Sequence, residues 1–244
     1  MPASYHPCFN TPDFDVVLWR YMDFTKFVSM LESRSLFFPR SDLFDDPFEG
    51  SLPRANIEAR KRLLSTLPDA PSWQTSAPFE DVRKRMRRAV YVNCWHANKF
   101  ESAGMWQLYA QTREAVAIKT TVGRLYASLP QEAMVGKVQY VDYNTASVPE
   151  GNLFWPFLHK RLSFGHEQEV RAIVARFGDK SGSIDDPMAP QGITCPVDLS
   201  GLIEAVYVAP TCPGWFALLV KQVVEKYGFS TPVEQSTLDA SPMF

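Results

Sequence analysis

Two carboxylates and a guanidinium occupy alternate positions in the segment 160–174, KRLSFGHEQEVRAIV. Alternate side chains of a strand share a face, so the pattern predicts a strand over 166–174 with Glu167, Glu169 and Arg171 on one side. The apolar residues between them can then enter a core. One carboxylate could stabilise a developing oxocarbenium ion, and the other could take a proton from an acceptor. The segment therefore predicts a catalytic acid pair of the kind used in glycosyl transfer.

Two structural interpretations of the same three residues stay open. On an exposed strand face they would form cross-strand ion pairs with basic residues. If the segment were helical instead, Glu167 and Arg171 would form an ion pair one helical turn apart. Neither arrangement would require a ligand.

Arg20 lies between two aromatic residues in a predicted first strand over 16–21. Its planar guanidinium presents a fork of donors that suits a phosphate or a carboxylate. The hypothesis is that Arg20 binds an anionic group of a ligand. The alternative is a structural ion pair with Glu167, Glu169 or Asp46.

Four further residues are candidates for ligand binding. Arg40 and Lys160 could each hold an anion, although Lys160 could equally be solvated. Trp106 and Tyr109 lie three residues apart on a predicted helix, and their rings could stack on a nucleobase or a nicotinamide. The alternative for this aromatic pair is packing in the core.

The segment 41–50, SDLFDDPFEG, offers carboxylates at Asp45, Asp46 and Glu49. A Ca²⁺ or Mg²⁺ site needs several such oxygens, but the spacing is not that of an EF-hand. Asp followed by Pro favours a turn, so we interpret the segment as a loop held by Asp side chains, with its two phenylalanines in the core. The histidines also lack metal-ligand spacing, and a Cys94–His96 pair on one strand is weak evidence for a thiol–base or zinc site. No metal is expected.

The composition favours one globular domain over 1–244. The chain has 244 residues, 45% of them hydrophobic, which is enough for one substantial core. A net charge of -2 and a pI of about 6.1 give no global attraction to nucleic acid or membranes. No apolar run approaches the roughly 20 residues of a membrane span. The four cysteines lack C-x-x-C spacing, so we expect reduced thiols and a cytoplasmic location.

The order of elements predicts an α+β fold with a central, mostly antiparallel, bent sheet flanked by helices, because strict βαβ alternation is missing. A helical insertion is expected at about 54–88 and a mobile loop at about 178–197. Strands are predicted at 16–21, 35–39, 89–96, 114–120, 134–143, 166–174 and 202–208, and helices at 24–32, 54–67, 79–89, 102–111, 122–129 and 214–227.

One dense basic run lies inside the predicted insertion, at Arg83, Lys84, Arg85, Arg87 and Arg88. Such a run could contact the backbone of a nucleic acid. The alternative is a solvated helix face whose charge is balanced by the acidic residues at 80 and 81.

The order of these motifs resembles the DUF2971 family of bacterial and phage proteins, a family without a settled activity. Four pieces carry the resemblance and a fifth extends it, namely LWRYMDFTKFVSMLESRSLFFP (18–39), LFDDPFEG (43–50), VNCWHANKFESAGMWQLYAQTREAVAIK (92–119), KRLSFGHEQEVRAI (160–173) and LIEAVYVAPTCPGW (202–215). This sequence departs from the family pattern at Asp45, where an asparagine is usual, and at His96, where a serine is often found. The resemblance implies a role as a bacterial toxin or in phage defence.

A more distant resemblance concerns chemistry. An arginine on the first strand and a late E-x-E strand are similar to ADP-ribosyltransferases of the Arg–Ser–Glu class. That resemblance implies that Arg20 grips a phosphate of NAD, that Glu169 holds a ribose hydroxyl and stabilises the cationic transition state, and that Glu167 activates the acceptor. The Ser-Thr-Ser strand of that class is absent, and His96 could supply the ribose hydrogen bond instead.

The leading expectation is therefore an enzyme that uses a small nucleotide ligand, with NAD as substrate, for ADP-ribosyl transfer or NAD glycohydrolysis. Arg171 is included among the residues that would contact this ligand, and a protein or a nucleic acid could be the acceptor. The alternative is a non-catalytic ligand-sensing or protein-interaction domain in which the charged cluster is structural. No membrane partner is expected, and the sequence leaves the oligomeric state open.

Overall fold

The structure, a computed structural model, describes residues 2–66, 76–109, 114–176 and 189–242. Its strands are β1 (Val17–Asp23), β2 (Ser35–Pro39), β3 (Val90–Ala97), β4 (Ala115–Thr121), β5 (Ala133–Lys137), β6 (Gln139–Val141), β7 (His159–Arg161), β8 (Glu169–Ala175), β9 (Gly192–Pro196), β10 (Ala205–Val208) and β11 (Val233–Gln235). Its helices are α1 (Phe24–Ser33), α2 (Arg54–Ser65), α3 (Ser76–Met86), α4 (Ala103–Tyr109), α5 (Val122–Ser128), α6 (Leu199–Leu202) and α7 (Gly214–Lys226). Short 3₁₀ helices cover Ser41–Leu43, Arg87–Ala89, Trp155–Phe157 and Leu162–Glu167.

The centre of the domain is a seven-stranded sheet with the strand order β11-β10-β4-β1-β3-β8-β5. All of its neighbouring strands are antiparallel except β10 and β11. Two separate two-stranded ribbons pair β2 with β9 and β6 with β7. The prediction of a single α+β domain with a mostly antiparallel central sheet is confirmed.

The two faces of this sheet bury different apolar clusters. Leu18 and Val170 point to the larger cluster, which is completed by α1 and α7. Trp19 and Tyr21 point to the opposite face and pack against Trp106 of α4. The alternation of side chains along β1 thus assigns neighbouring residues to opposite sides of the sheet.

β1 and β3 separate after a short contact. Only Leu18–Ala97 and Trp19–His96 are paired between them, although β1 has seven residues and β3 has eight. β3 then continues as a partner of β8, and β1 continues as a partner of β4. The two strands therefore form a fork, and a gap opens in the middle of the sheet.

The helix predictions agree well with the structure. α1 begins directly after Asp23, as predicted, but the Asp23 carboxylate pairs with Lys26 at 3.1 Å rather than capping the helix. α7 ends where Gly228 adopts a φ of 82°, and Phe229 N–H then donates to the Val224 carbonyl at 3.1 Å. This is the glycine C-terminal motif that the sequence predicts. None of the described helices has both the length and the apolar character needed to cross a bilayer.

Several predicted elements differ in the structure, including the strand predicted over 202–208, which begins only at Ala205 because Leu199–Leu202 forms α6. The strand predicted over 166–174 begins only at Glu169, because Gln168 has a φ of 42° and Glu167 belongs to the preceding 3₁₀ helix. The strand predicted over 134–143 divides into β5 and β6. The loop predicted at 178–197 contains β9, which pairs with β2, and residues 177–188 lie outside the described part.

Gly50 provides a test of local packing. Its φ is 68°, and a Cβ there would lie 2.5 Å from Cε1 of Phe157. We expect Gly50→Ala to lower the free energy of unfolding by about 1–3 kcal/mol, through both backbone strain and overpacking. Gly151→Ala, where a Cβ would meet nothing within 4 Å, is the matched control. Denaturant unfolding that gives equal stability for the two variants would contradict this account.

Candidate functional site

The gap between β1 and β3 opens into a cavity of about 710 Å³, which we call the fork cavity. α1 and the β2–β9 ribbon form one wall, and α4 with the start of β8 forms the other. Its size lies within the range of small-molecule sites. The polar residues that line it include Arg20, Thr25, Ser29, Ser33, Cys94, His96, Tyr109, Glu167 and Glu169.

Arg20 is a cation that has no acidic partner among the described residues. Its guanidinium lies against the Trp95 ring, 5.8 Å from Cζ to the ring centroid. Burial lowers the pKa of Arg20 to about 10, partly opposed by Cys94, so the side chain stays positive at neutral pH. The alternative of a structural pair with Glu167, Glu169 or Asp46 is not what the structure shows.

The acids belong to a buried chain of alternating charges. Arg171 binds Glu49 through two nitrogens, at 2.6 and 3.0 Å, and its Nε donates to Glu169 at 2.6 Å. Lys160 donates to Glu169 at 3.4 Å and also to Glu167. We call these five residues the charge chain. Three carboxylates and two cations leave one excess negative charge, and Glu167 is its terminal member.

The pKa values of the two acids in the cavity are shifted in opposite directions. Burial raises the pKa of Glu167 to about 7, reinforced by Glu169 and opposed by Lys160. Burial also disfavours ionised Glu169, but Arg171 and Lys160 outweigh it and lower the pKa of that carboxyl. One carboxyl is therefore a fixed anion, while its neighbour can exchange a proton near neutral pH. Two carboxyls with separated pKa values are a recurrent feature of acid–base sites.

His96 presents an acceptor without a partner. Its Nδ1 lies 2.6 Å from the backbone carbonyl of Glu167, so that nitrogen carries the proton and donates. Nε2 is then an unprotonated acceptor, and it is buried without a hydrogen bond in the described structure. Burial lowers the pKa of His96, which keeps the ring neutral. A ligand hydroxyl that donates to Nε2 would satisfy it.

Arg20 and the acids enter the fork cavity from opposite faces of the sheet. Trp19 pairs with His96 and His96 pairs with Glu169, so these three side chains share one face. Arg20, the next residue along β1, points to the other face, as does Trp95. Arg20 and both acids line the same cavity, but a ligand that contacts both ends must pass through the gap.

Backbone groups also face this gap. Between β1 and β4, Phe24 N–H donates to the Glu114 carbonyl, and between β3 and β8, Ala97 N–H donates to the Gln168 carbonyl. Successive residues of an antiparallel strand direct their backbone groups to opposite neighbours. The N–H and C=O of Tyr21 therefore point away from β4, and those of Cys94 point away from β8. If the register of Trp19 with His96 continued, Tyr21 and Cys94 would be the next pair to exchange backbone hydrogen bonds between β1 and β3, but that pair does not form. Each residue therefore offers one N–H and one C=O toward the fork.

The α1 wall carries a row of hydroxyls. Thr25, Ser29 and Ser33 are four residues apart and line the cavity, while Phe27 and Leu31 on the other side of the helix are buried. Within the described structure no hydrogen bond engages the Thr25 or Ser29 hydroxyl. This wall can thus hydrogen-bond an oxygen-rich ligand on the Arg20 side of the sheet.

Trp106 and Tyr109 do not act as a pair. Trp106 is buried between α4 and the sheet, where Nε1 donates to Glu101 at 2.9 Å and the ring contacts Tyr21. Tyr109 lines the cavity and is 42% exposed. The core alternative therefore describes Trp106, and Tyr109 alone is placed to stack on a ligand.

Three predicted anion-binding residues are outside the lining of the fork cavity. Arg171 is fully buried in the charge chain, and Lys160 lies beneath both acids. Arg40 binds Asp42 at 2.7 Å and the Ala189 carbonyl at 2.7 Å. These cations already have protein partners, because burying a charge without one is costly. Their part in the site is to hold other groups in place.

The loop 41–50 acts as a support. Asp46 accepts from Phe48 N–H at 3.0 Å and pairs with Arg161 at 2.8 Å, which is the predicted side-chain turn. Phe48 is 43% exposed rather than buried, whereas Phe44 lines the cavity. Within the described ranges no group of three or more His, Cys, Asp or Glu residues is arranged to hold a metal ion.

Sequence reasoning missed two contributions, and it treated a third residue, Cys94, only as half of a weak pair with His96. Glu49 was considered only as a metal ligand, yet it is the bidentate partner of Arg171. The hydroxyl row of α1 was overlooked, although its spacing of four residues is visible in the sequence. Cys94 lines the cavity as a thiol whose pKa is raised by burial, so it stays protonated.

Comparison of the chain with protein-family models, curated proteins and solved structures finds no match.

The charge chain predicts that replacing Arg171 destabilises the fold strongly. Arg171→Met would leave Glu49 and Glu169 buried without their shared cation, so we expect a loss of about 3–5 kcal/mol in the free energy of unfolding. Arg54→Met removes an exposed pair with Glu58 and should cost under about 1 kcal/mol. Urea unfolding measures both. Equal losses would show that the buried chain does not stabilise the fold.

The raised pKa of Glu167 predicts that the free energy of unfolding depends on pH. Its pKa is about 7 in the folded protein and near 4.5 when unfolded, so the unfolded chain loses this proton first and stability falls as pH rises between those values. Glu167→Gln removes the effect. The free energy of unfolding of the variant should therefore rise by up to about 3 kcal/mol relative to that of the wild type from pH 4 to pH 8.

Glu58→Gln is the control, because its effect on stability should change with pH in the opposite direction. Hydrogen bonding to Arg54 lowers the pKa of exposed Glu58, so its substitution should reduce relative stability as pH rises. Unfolding titrations at several pH values measure both differences. A pH-independent difference for Glu167→Gln would contradict the raised pKa.

Proposed function

We propose that the chain binds a nucleotide-type ligand in the fork cavity and cleaves or transfers its ribosyl group, with NAD as the first candidate substrate. The observation that carries the proposal is the unpaired Arg20 cation facing the same cavity as Glu169 and Glu167. An enzyme that keeps a cation unpaired in a cavity has a ready site for an anionic substrate group.

The phosphate end of the ligand would lie on the α1 side of the sheet. Arg20 supplies a positive charge and two or more N–H donors, which suit a diphosphate. Thr25 and Ser29 add hydroxyls that can hydrogen-bond phosphate or sugar oxygens. Ionised acids are absent from this set, which favours an anionic group here.

The reacting ribose would lie on the other side, beside the acids. Glu169 is a fixed anion that can accept from a ribose hydroxyl and stabilise the oxocarbenium-like transition state. His96 Nε2 can accept a second hydroxyl. When the C–N glycosidic bond breaks, nicotinamide leaves with the bonding electrons, and Glu167 can take the proton from the incoming water or acceptor.

The gap in the sheet favours a long ligand. Arg20 and Glu169 leave opposite faces, so one ligand can contact both only if it extends through the fork. A dinucleotide meets this requirement because its diphosphate is separated from each base by a ribose. The backbone groups of Tyr21 and Cys94 could hydrogen-bond the oxygens of the phosphate–ribose link that would pass between them.

The same proposal covers the biological context. A relative of the DUF2971 family and of the ADP-ribosyltransferases would act as a bacterial toxin or in phage defence, with a protein or a nucleic acid as acceptor. We propose a cytoplasmic location, which the four free cysteines support.

A non-catalytic ligand sensor is the second candidate, because Glu169 is already engaged. Both of its oxygens have cationic partners, Arg171 at 2.6 Å and Lys160 at 3.4 Å. A carboxylate accepts about four hydrogen bonds, so a ligand hydroxyl still has room. If those partners hold Glu169 away from the ribose, the cavity would bind without reacting.

Nicotinamide release from NAD tests the proposed reaction. We expect the wild-type protein to release nicotinamide, and Glu169→Gln to slow this at least 100-fold because the fixed charge beside the transition state is lost. Glu132→Gln, which alters an exposed acid paired with Arg176 outside the cavity, should keep the full rate. The assay measures free nicotinamide chromatographically, with and without added protein and oligonucleotide acceptors.

The two candidate functions give different results. Saturable NAD binding with no release above that of Glu169→Gln under any condition would favour the sensor. Absence of both binding and release would contradict the proposed ligand class.

A further inference from the structure

Positive charge is concentrated in one part of the chain. Residues 54–88 contain nine Lys and Arg against four Asp and Glu, a net charge of +5. The remaining residues contain 16 basic and 23 acidic side chains, a net charge of -7. Helices α2 and α3, with the 3₁₀ turn Arg87–Ala89, occupy this segment, and we call them the basic helices.

The basic helices meet at Glu150. Arg60 of α2 and Arg83 of α3 both reach Oε2 of Glu150, the second at 3.8 Å. Asn56 holds α2 to the same loop, because its amide donates to the Val148 carbonyl at 2.7 Å and to Glu150 at 2.9 Å. The two helices are thus fastened together at a point where two guanidiniums share one carboxylate.

The described acids of the segment pair with only some of its basic residues. Glu58 is bonded by Arg54 at 2.7 Å, and Asp81 by Arg85 at 3.2 Å. Lys61 and Lys84 are exposed and have no ion pair in the described structure, and Arg62 is 82% exposed with Glu58 only at 3.9 Å. Nine basic against four acidic side chains leave this segment with an excess of positive charge even where such pairs form.

The basic helices are attached next to the fork cavity. Ser41 Oγ donates to the Arg87 carbonyl at 2.8 Å, which ties the end of the helical segment to the loop 41–50. Phe44 of that loop lines the cavity. A polymer held on the basic helices would lie close to this loop.

We propose that the basic helices bind the sugar–phosphate backbone of a nucleic acid. The exposed Arg62 presents a planar fork that matches phosphate oxygens, and the exposed Lys61 and Lys84 add positive charge beside it. An anionic membrane would instead require a continuous apolar stripe beside the charges. The large apolar residues that α2 exposes, Ile57 and Leu63, are six positions apart and so lie on different faces. This proposal is independent of NAD chemistry.

The test is fluorescence anisotropy with a labelled 20-nucleotide single strand and its duplex, at several salt concentrations. We expect binding in the micromolar range at about 50 mM salt, weakening linearly on a logarithmic scale as salt rises. Lys61→Glu combined with Arg62→Glu should weaken binding at least about ten-fold and reduce the salt slope by roughly 2.

Matched variants separate this effect from misfolding and from net charge. Lys221→Glu with Lys226→Glu reverses two charges on exposed positions of α7 and should change binding little. Lys61→Gln with Arg62→Gln should show an intermediate loss, and thermal unfolding should be unchanged in all variants. Equal losses for α2 and α7 would overturn the proposal, as would absence of salt-dependent binding. Tighter binding to phosphatidylserine vesicles than to either oligonucleotide would overturn the assignment to nucleic acid.

Discussion

Arg171 joins three parts of the chain that are far apart in sequence. Its guanidinium binds Glu49 of the loop 41–50, Glu169 at the start of β8 and the carbonyl of Phe157. All of these groups are buried, so each of them needs the others to offset the loss of hydration. The position of Glu169 in the fork cavity follows from this arrangement, because the same contact that neutralises Arg171 fixes the orientation of the carboxylate.

The opposite condition holds at Arg20. There the sheet divides, since β1 and β3 share only two residue pairs, and the guanidinium reaches a cavity wall with an aromatic contact and no acid. The described structure therefore combines a buried set of bonded charges around Arg171 with a cation in the cavity, Arg20, whose partner must come from solvent or a ligand. The hydroxyls of α1 and the backbone of Tyr21 and Cys94 surround the same space. Together they favour binding over a purely structural role for the fork.

Local patterns predicted most of the elements, and they failed where distant segments decide the outcome. Alternation along β8 correctly placed Glu169 and Arg171 together, but it extended the strand through Glu167, because the left-handed turn at Gln168 leaves no signal in residue type. No pattern within β1 shows that Arg20 and Glu169 leave opposite faces, since that depends on the pairing of Trp19 with His96. In the same way, only the packing of α4 separates a buried Trp106 from an exposed Tyr109.

The central claim is that Arg20, which has no acidic partner in the described part of the chain, binds an anionic ligand in the fork cavity. Calorimetric titration of NAD into the wild-type protein and into Arg20→Met tests it most directly. The account predicts saturable binding that weakens at least about ten-fold in the variant, because a charge-assisted contact with phosphate is lost. It also predicts an almost unchanged unfolding temperature, because no ion pair is broken. Equal affinity in the two proteins, or no binding by the wild type, would contradict the claim.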